Sequence, residues 1–240
     1  MNVTEVVMDP TLIPFDDTYI LYNPSDPISY VLVYFSLLPI GILIFYFSWF
    51  VSSRELEAVV IAGGQVVNEL LNNVLKNIIK EPRPVVLSSE FQANSIRSEY
   101  GMPSAHSQFM GFFLIYWSLT LVLKWEGIGK IRKFFTVAIM SAVAAMVAFS
   151  RVYLGYHSLA QVSVGLALGG LLGSGYYLAV AIVRYMGLLR WLLGWRLCQR
   201  LWVKDSFNCC PFNLRDELNA WTLRCVSSKS RSKLSIKKAS

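Results

Sequence analysis

Charge is scarce in this chain, and what there is of it is unevenly placed. Only 15% of the 240 residues are charged, 55% are hydrophobic, and mean hydropathy is +0.47. A soluble domain carries about 25% charged residues, so that class is excluded. Histidine is scarcer still, with His106 and His157 the only two. The four cysteines (Cys198, Cys209, Cys210, Cys225) all fall in the C-terminal fifth. They lack the spacing of a zinc site or a disulfide framework. The adjacent Cys209 and Cys210 read either as sites of acylation near a membrane or as plain thiols. Residues 1–28 contain no Lys or Arg, only the acids Glu5, Asp9, Asp16, Asp17 and Asp26. No cleavable signal peptide is expected, because the first apolar run begins near residue 29 and follows these acids. No nucleic-acid motif and no internal repeat occur, so nucleic acid is not expected as a partner.

What the chain does have is long apolar runs, and crossing a hydrocarbon core takes roughly 20 residues each. Five spans are expected: Tyr30 to Val51, Glu57 to Lys76, Ser104 to Lys124, Phe134 to Ser150, and His157 to Ile182. The second is the weakest, because its latter half carries Asn68, Glu69, Asn72 and Asn73. At helical spacing Asn68, Asn72 and Lys76 share a face, and polar groups at that depth should point into the bundle. Pro103 and Ser104 mark a helix start. In the fifth span Gly165, Gly169 and Gly173 form the small-residue stripe that lets membrane helices approach closely. The expected class is all-α, a polytopic bundle of about five transmembrane helices. An amphipathic interfacial helix follows it, with Arg190, Arg196 and Arg200 beside Trp191, Trp195 and Trp202. The expected organisation is an acidic arm over 1–28, a membrane-embedded domain over 29–185, and an interfacial helix and basic tail over 186–240.

The formal net charge is +7. From Arg184 to the end stand twelve Lys and Arg against Asp205, Asp216 and Glu217. With Lys124, Lys130, Arg132 and Lys133 in the turn between spans three and four, this positive excess assigns the tail and that turn to the cytosol. The acidic arm then lies on the lumenal or exterior side.

Three short pieces carry the chemistry: Lys76 through Lys80 to Arg83-Pro84, then Pro103-Ser104-Ala105-His106, then Ser150-Arg151 with His157. His106 and Arg151 are 45 residues apart, the length of two crossings and a turn. Counting spans therefore returns the end of the second, the start of the third, the end of the fourth and the start of the fifth to one face. Arg83 and Arg151 offer planar forks matched to phosphate oxygens, and Lys76 adds a point charge. The start of the third span adds the Ser104 hydroxyl and backbone N–H groups. This set suits a phosphoryl group, with one imidazole as nucleophile and the other as proton donor. No metal and no cofactor are expected, since the nearby acids Glu81, Glu90 and Glu99 are scattered on one loop. Read alone, Lys76, Lys80 and Arg83 are better explained as residues snorkelling at a span end; it is their order, spacing and common side with the other pieces that favour a site.

Together the three pieces resemble the signature of the type 2 phosphatidic acid phosphatase superfamily: K-x6-RP, PSGH, and SR-x5-H-x3-D. Lys76 to Pro84 matches the first block, Pro103 to His106 the second with Ala105 for Gly, and Ser150 to His157 the third. The resemblance covers about residues 55–185. It departs at Gln161, where the pattern has Asp. A Gln carbonyl can fix the tautomer of His157 but brings no full negative charge. Within the superfamily the whole chain looks most like the dolichyl-diphosphate phosphatase subgroup.

The resemblance implies a metal-independent hydrolysis of a polyprenyl (dolichyl) diphosphate to the monophosphate. It implies a lumenal site in the endoplasmic reticulum membrane, where the carrier lipid of N-glycosylation is recycled. It implies a phosphohistidine on His157, proton transfer by His106, orientation by Gln161, and phosphate binding by Lys76, Arg83, Ser104 and Arg151. Lys237 and Lys238 look like a di-lysine retrieval signal that a cytosolic coat would recognise. Two other readings stay open. One is a lipid phosphatase of the same superfamily acting on phosphatidate, lysophosphatidate or a sphingoid-base phosphate. The other is a phospholipid-binding membrane protein with a dead site. Transport is disfavoured, because nothing resembles paired inverted halves or broken helices.

Overall fold

The computed structural model describes residues 13–14, 20–84, 100–125, 127–207 and 217–226. Five long helices dominate it: α1 (Pro27–Ser53), α2 (Leu56–Ile79), α3 (Ala105–Leu123), α4 (Lys130–Tyr153) and α5 (Leu159–Tyr185). All five are long and apolar enough to cross a membrane. Their outer faces carry exposed apolar side chains such as Ile44, Phe47, Phe134 and Leu171. This is the surface that lipid covers, where backbone N–H and C=O groups find their partners within each helix. Two-residue strands β1 (Ile13–Pro14) and β2 (Leu21–Tyr22) pair antiparallel before α1. The fold class is thus the all-α membrane bundle expected, with the second span a full 24-residue helix.

Local chemistry sets both ends of α1 and the end of α2. Asp26 caps α1 by accepting from the Ile28 N–H at 3.0 Å, and Pro27 occupies the first turn, where no donor is needed. Arg54 then turns left-handed and ends the helix (φ 57°). Lys80 does the same after α2 (φ 54°). Gln65, Asn68, Asn72 and Lys76 are all buried on one face of α2, the face that the spacing singled out. The helix bounds differ from expectation mainly at α4. It begins at Lys130, so Lys130, Arg132 and Lys133 sit in its first turn and the connecting turn is shorter. Nor is the amphipathic stretch one helix. It forms α6 (Leu188–Leu193) and α7 (Arg196–Arg200), because Gly187 and Gly194 flank α6 and Trp195 is extended.

α3 and α5 pack face to face through the glycine stripe. A Cβ on Gly169 would strike the Gln108 carbonyl, one on Gly165 would lie 2.7 Å from the Ser104 carbonyl, and one on Gly173 2.9 Å from that of Phe112. Backbone thus meets backbone across this interface. The core beside it is aromatic: Tyr46, Phe112, Tyr116 and Tyr177 with Met110 and Val147. At one end of the bundle Arg184 is clamped between Glu57 (2.5 Å) and Asp205 (3.0 Å), with its guanidinium 3.6 Å from the centre of the Phe207 ring. At the other end lies the cluster described next.

Candidate active site

The last turn of α2, the first of α3, the last of α4 and the first of α5 meet at one end of the bundle. The connections between them are backbone bonds as well as side-chain ones. The Ser104 N–H, where α3 begins, donates to the Gln161 carbonyl of α5 at 3.1 Å. The segment after α2 pairs with the one before α3: Pro82 bridges Tyr100, and the Gly101 N–H donates to the Glu81 carbonyl at 2.7 Å. The Tyr156 and His157 N–H groups both donate to the Arg151 carbonyl, at 3.0 and 3.1 Å, which folds the α4–α5 turn tightly back. Lys76, Ser104, Arg151, His157 and Gln161 are buried, while Arg83 and His106 are half-buried. All seven residues expected at the site therefore converge on this end.

Arg151 is fixed from two sides. It donates to the Ser36 hydroxyl of α1, and its guanidinium lies 4.1 Å from the centre of the Tyr156 ring. The Tyr156 hydroxyl in turn accepts from the Leu21 N–H at 2.7 Å. Ile20 and Tyr156 are buried together with Val33 of α1. The chain just before α1 is thereby packed against the same end. The polar face of α2 supports α3. Asn72 donates to the Pro103 carbonyl at 3.3 Å and to Gln108 at 2.8 Å, and Gln108 donates to Asn68 at 2.9 Å. Ser104 occupies the cap position of α3 but makes no side-chain cap bond; its hydroxyl receives one from Ser107 at 3.2 Å instead.

Both polar atoms of the Gln161 side chain are engaged. Its Nε2 donates to Glu81 Oε1 and to the Pro82 carbonyl, both at 2.9 Å. Its Oε1 accepts from the Ser158 N–H at 3.3 Å and faces His157 Nδ1 at 3.1 Å. With both amide protons committed, the oxygen must face the ring. Nδ1 is then the protonated nitrogen, and the lone pair sits on Nε2. Burial, followed by the charges of Arg151 and Arg83, pushes the His157 imidazole down from its usual 6.5 to about 3. The bond to Gln161 opposes this and Lys76 adds to it. The result is a neutral imidazole with a free Nε2, surrounded by three cations. That is an arrangement for attacking an anion.

His106, in the first turn of α3, lines an apolar cavity of about 610 Å³ between α1, α2 and α3. Leu37, Ile40, Leu43, Val66 and Leu70 are part of its apolar wall, with Gln65 and Glu69 of α2 among the polar residues that line it. Ser36, which holds Arg151, also reaches it. The cationic cluster and the apolar cavity thus share a border. Among the described residues no three His, Cys, Asp or Glu come together as a metal site would need. Glu90, Glu99, Cys209, Cys210, Lys237 and Lys238 lie outside the described residues. Sequence reading missed Ser36, Asn72 as a support of Pro103, and Glu81. It also missed that Ser158 and Gln161 form a capping box, although Ser-x-x-Gln before an apolar run is its sequence signature.

Comparison with known proteins bears on the same residues. The family described as PAP2 superfamily matches residues 57–185. A protein of Saccharomyces cerevisiae named dolichyldiphosphatase is 47% identical, covering 93% of this chain and 95% of its own length. Dolichyldiphosphatase 1 of Homo sapiens is 34% identical, over 69% of this chain and 70% of that protein. Lipid phosphate phosphatase gamma of Arabidopsis thaliana is 35% identical, over 70% of this chain and 74% of that one.

Proposed function

Because the chain belongs to the PAP2 superfamily, we propose that it is an integral membrane phosphatase that hydrolyses dolichyl diphosphate to dolichyl phosphate and phosphate. The site faces the lumen of the endoplasmic reticulum and returns the carrier lipid to protein N-glycosylation; the basic tail is cytosolic. The observation that carries this reading is the neutral His157, with Nε2 free and Nδ1 tied to Gln161, inside a cluster of Lys76, Arg83 and Arg151. The similarity to dolichyldiphosphatases over most of the chain supports the substrate. So does the apolar cavity, whose border with the cationic cluster suits a diphosphate on a long hydrocarbon.

The reaction runs in two displacements. His157 Nε2 forms a bond to the terminal phosphorus while the bond to the bridging oxygen breaks. That oxygen leaves with its electron pair on dolichyl phosphate and takes a proton from His106. Lys76, Arg83, Ser104 and Arg151 hold the three equatorial oxygens. Water then attacks phosphorus, giving its proton to His106, and the N–P electron pair returns to His157. The chain balances with one phosphate and one lipid monophosphate released.

The test is phosphate release by purified protein from a panel of lipid mono- and diphosphates. Polyprenyl diphosphate is expected to be turned over fastest, and His157→Ala to abolish release. Faster release from phosphatidate or a sphingoid-base phosphate would move the substrate to the broader class of the Arabidopsis relative. Undiminished release by His157→Ala would remove the phosphohistidine. Lys237→Ser with Lys238→Ser is expected to shift a tagged chain away from the endoplasmic reticulum if a coat reads that pair.

A further inference from the structure

Gln161 stands where the superfamily pattern carries a carboxylate, yet a carboxylate is present one step further out. Glu81 Oε1 accepts from Gln161 Nε2 at 2.9 Å, and Gln161 Oε1 accepts from His157 Nδ1 at 3.1 Å. The three groups form an unbroken chain of hydrogen bonds from the end of α2 to the imidazole. Its geometry is held on both flanks. The Glu81 carbonyl is paired with the Gly101 N–H, and a Cβ on Gly101 would stand 2.6 Å from Gln161 Oε1. The amide is therefore gripped between the Glu81–Pro82 segment and a residue whose lack of a side chain makes room for it.

We propose that Glu81 is a positioning residue for this reaction: its carboxylate, acting through the Gln161 amide, orients His157 and offsets the positive charge the ring acquires on attack. The proposal rests on the phosphohistidine reading above. As Nε2 bonds to phosphorus, the ring becomes an N-phosphoimidazolium whose Nδ1–H donates to Gln161. Arg151, Arg83 and Lys76 all oppose that charge. An amide polarised by a carboxylate accepts more strongly than one facing water, because bonds in a chain reinforce each other at low dielectric. The same geometry explains the glutamine. A carboxylate at 161 would face Glu81 and the Pro82 carbonyl with no proton between them, a like-charge contact.

The test is kinetics on the full chain with a polyprenyl diphosphate, together with the His157 ring N–H resonance. Glu81→Gln is expected to lower kcat by roughly tenfold, in the range seen when outer partners of a histidine are removed, with KM nearly unchanged. The His157 Nδ1–H proton signal should move upfield as its bond weakens. In a Gln161→Ala background, Glu81→Gln should cost nothing further, since its route to the ring is already cut. Gln161→Glu alone should be more impaired than the double exchange Glu81→Gln with Gln161→Glu, which restores an amide between the carboxylate and its neighbour. Wild-type kcat in Glu81→Gln, or losses at 81 and 161 that multiply in full, would overturn the proposal. His157→Ala separates the two levels: if it still turns over, the phosphohistidine fails; if it is dead while Glu81→Gln is normal, only the role of Glu81 fails.

Discussion

His157 stands just before the Ser158 cap of α5 and Gln161 in its first turn, so the Ser158–Gln161 capping box, not helical spacing, brings the amide to the imidazole. The two bonds that its Nε2 donates, to Glu81 and Pro82, come from just beyond the end of α2, and they decide which way the amide points. Gln161→Asp, which matches the superfamily pattern more closely, is therefore expected to lose activity here, by about 10–100-fold; assay of phosphate release checks it, and a gain would show the glutamine to be a defect. The buried, neutral His157 also predicts a pH dependence. Its folded value is about 3, against 6.5 for the free group. Between those values the unfolded chain binds a proton that the folded one does not. Stability from this residue is present above pH 6.5 and lost as pH falls toward 3. Thermal unfolding in detergent at pH 7.5 and 4.5 should show the loss, reduced in His157→Gln. With only two histidines, ring-nitrogen spectra can follow each one, and His157 should not titrate between pH 5 and 8.

At the scale of elements, the glycine stripe was legible as a packing device from its four-residue spacing. Its partner was not, since spacing names a face and not what covers it. The structure puts the backbone of α3 there, over the very stretch that begins with Ser104 and His106. Gly169→Ala must push α3 from α5, and with it Ser104 from Gln161. A loss of about 1–3 kcal/mol is expected from such overpacking, together with reduced turnover. Gly175→Ala, with nothing within 4 Å of its new methyl, should stay within about 0.5 kcal/mol. Denaturant unfolding of the two variants side by side separates tight packing from any general intolerance of alanine. The polar face of α2 was equally legible, but Gln108, its partner on α3, carries no periodic signal.

At the scale of the molecule, the bundle has a cationic cluster at one end and an ion-paired latch at the other. The latch joins the start of α2, the end of α5 and the segment at Asp205–Phe207 through Arg184. Arg184 and Glu57 are nearly inaccessible to solvent, so removing one partner strands the other. Glu57→Ala is expected to cost about 3–5 kcal/mol, measured by unfolding in detergent, while the chemistry at the far end keeps its KM. Orientation is tested at this scale too. With native cysteines replaced, single cysteines at Met102 and Gly127 should react with impermeant reagent from opposite sides of the membrane, the first from the lumen. Labelling of both from one side would break the span count on which the common face depends.

Composition alone decided that this chain lives in a bilayer, because apolar runs of that length have no other stable solvent. Spacing alone decided that the three cationic and imidazole-bearing pieces return to one face, because each crossing uses a fixed number of residues. The choice among hydrogen-bond partners was left to the tertiary structure. Ser36 under Arg151, Asn72 under Pro103 and Glu81 behind Gln161 belong to helix ends and turns that are far apart in sequence. A periodic pattern records which side of a helix is polar. Which polar group meets it is decided only when the helices close on each other, at the crossing the glycines allow.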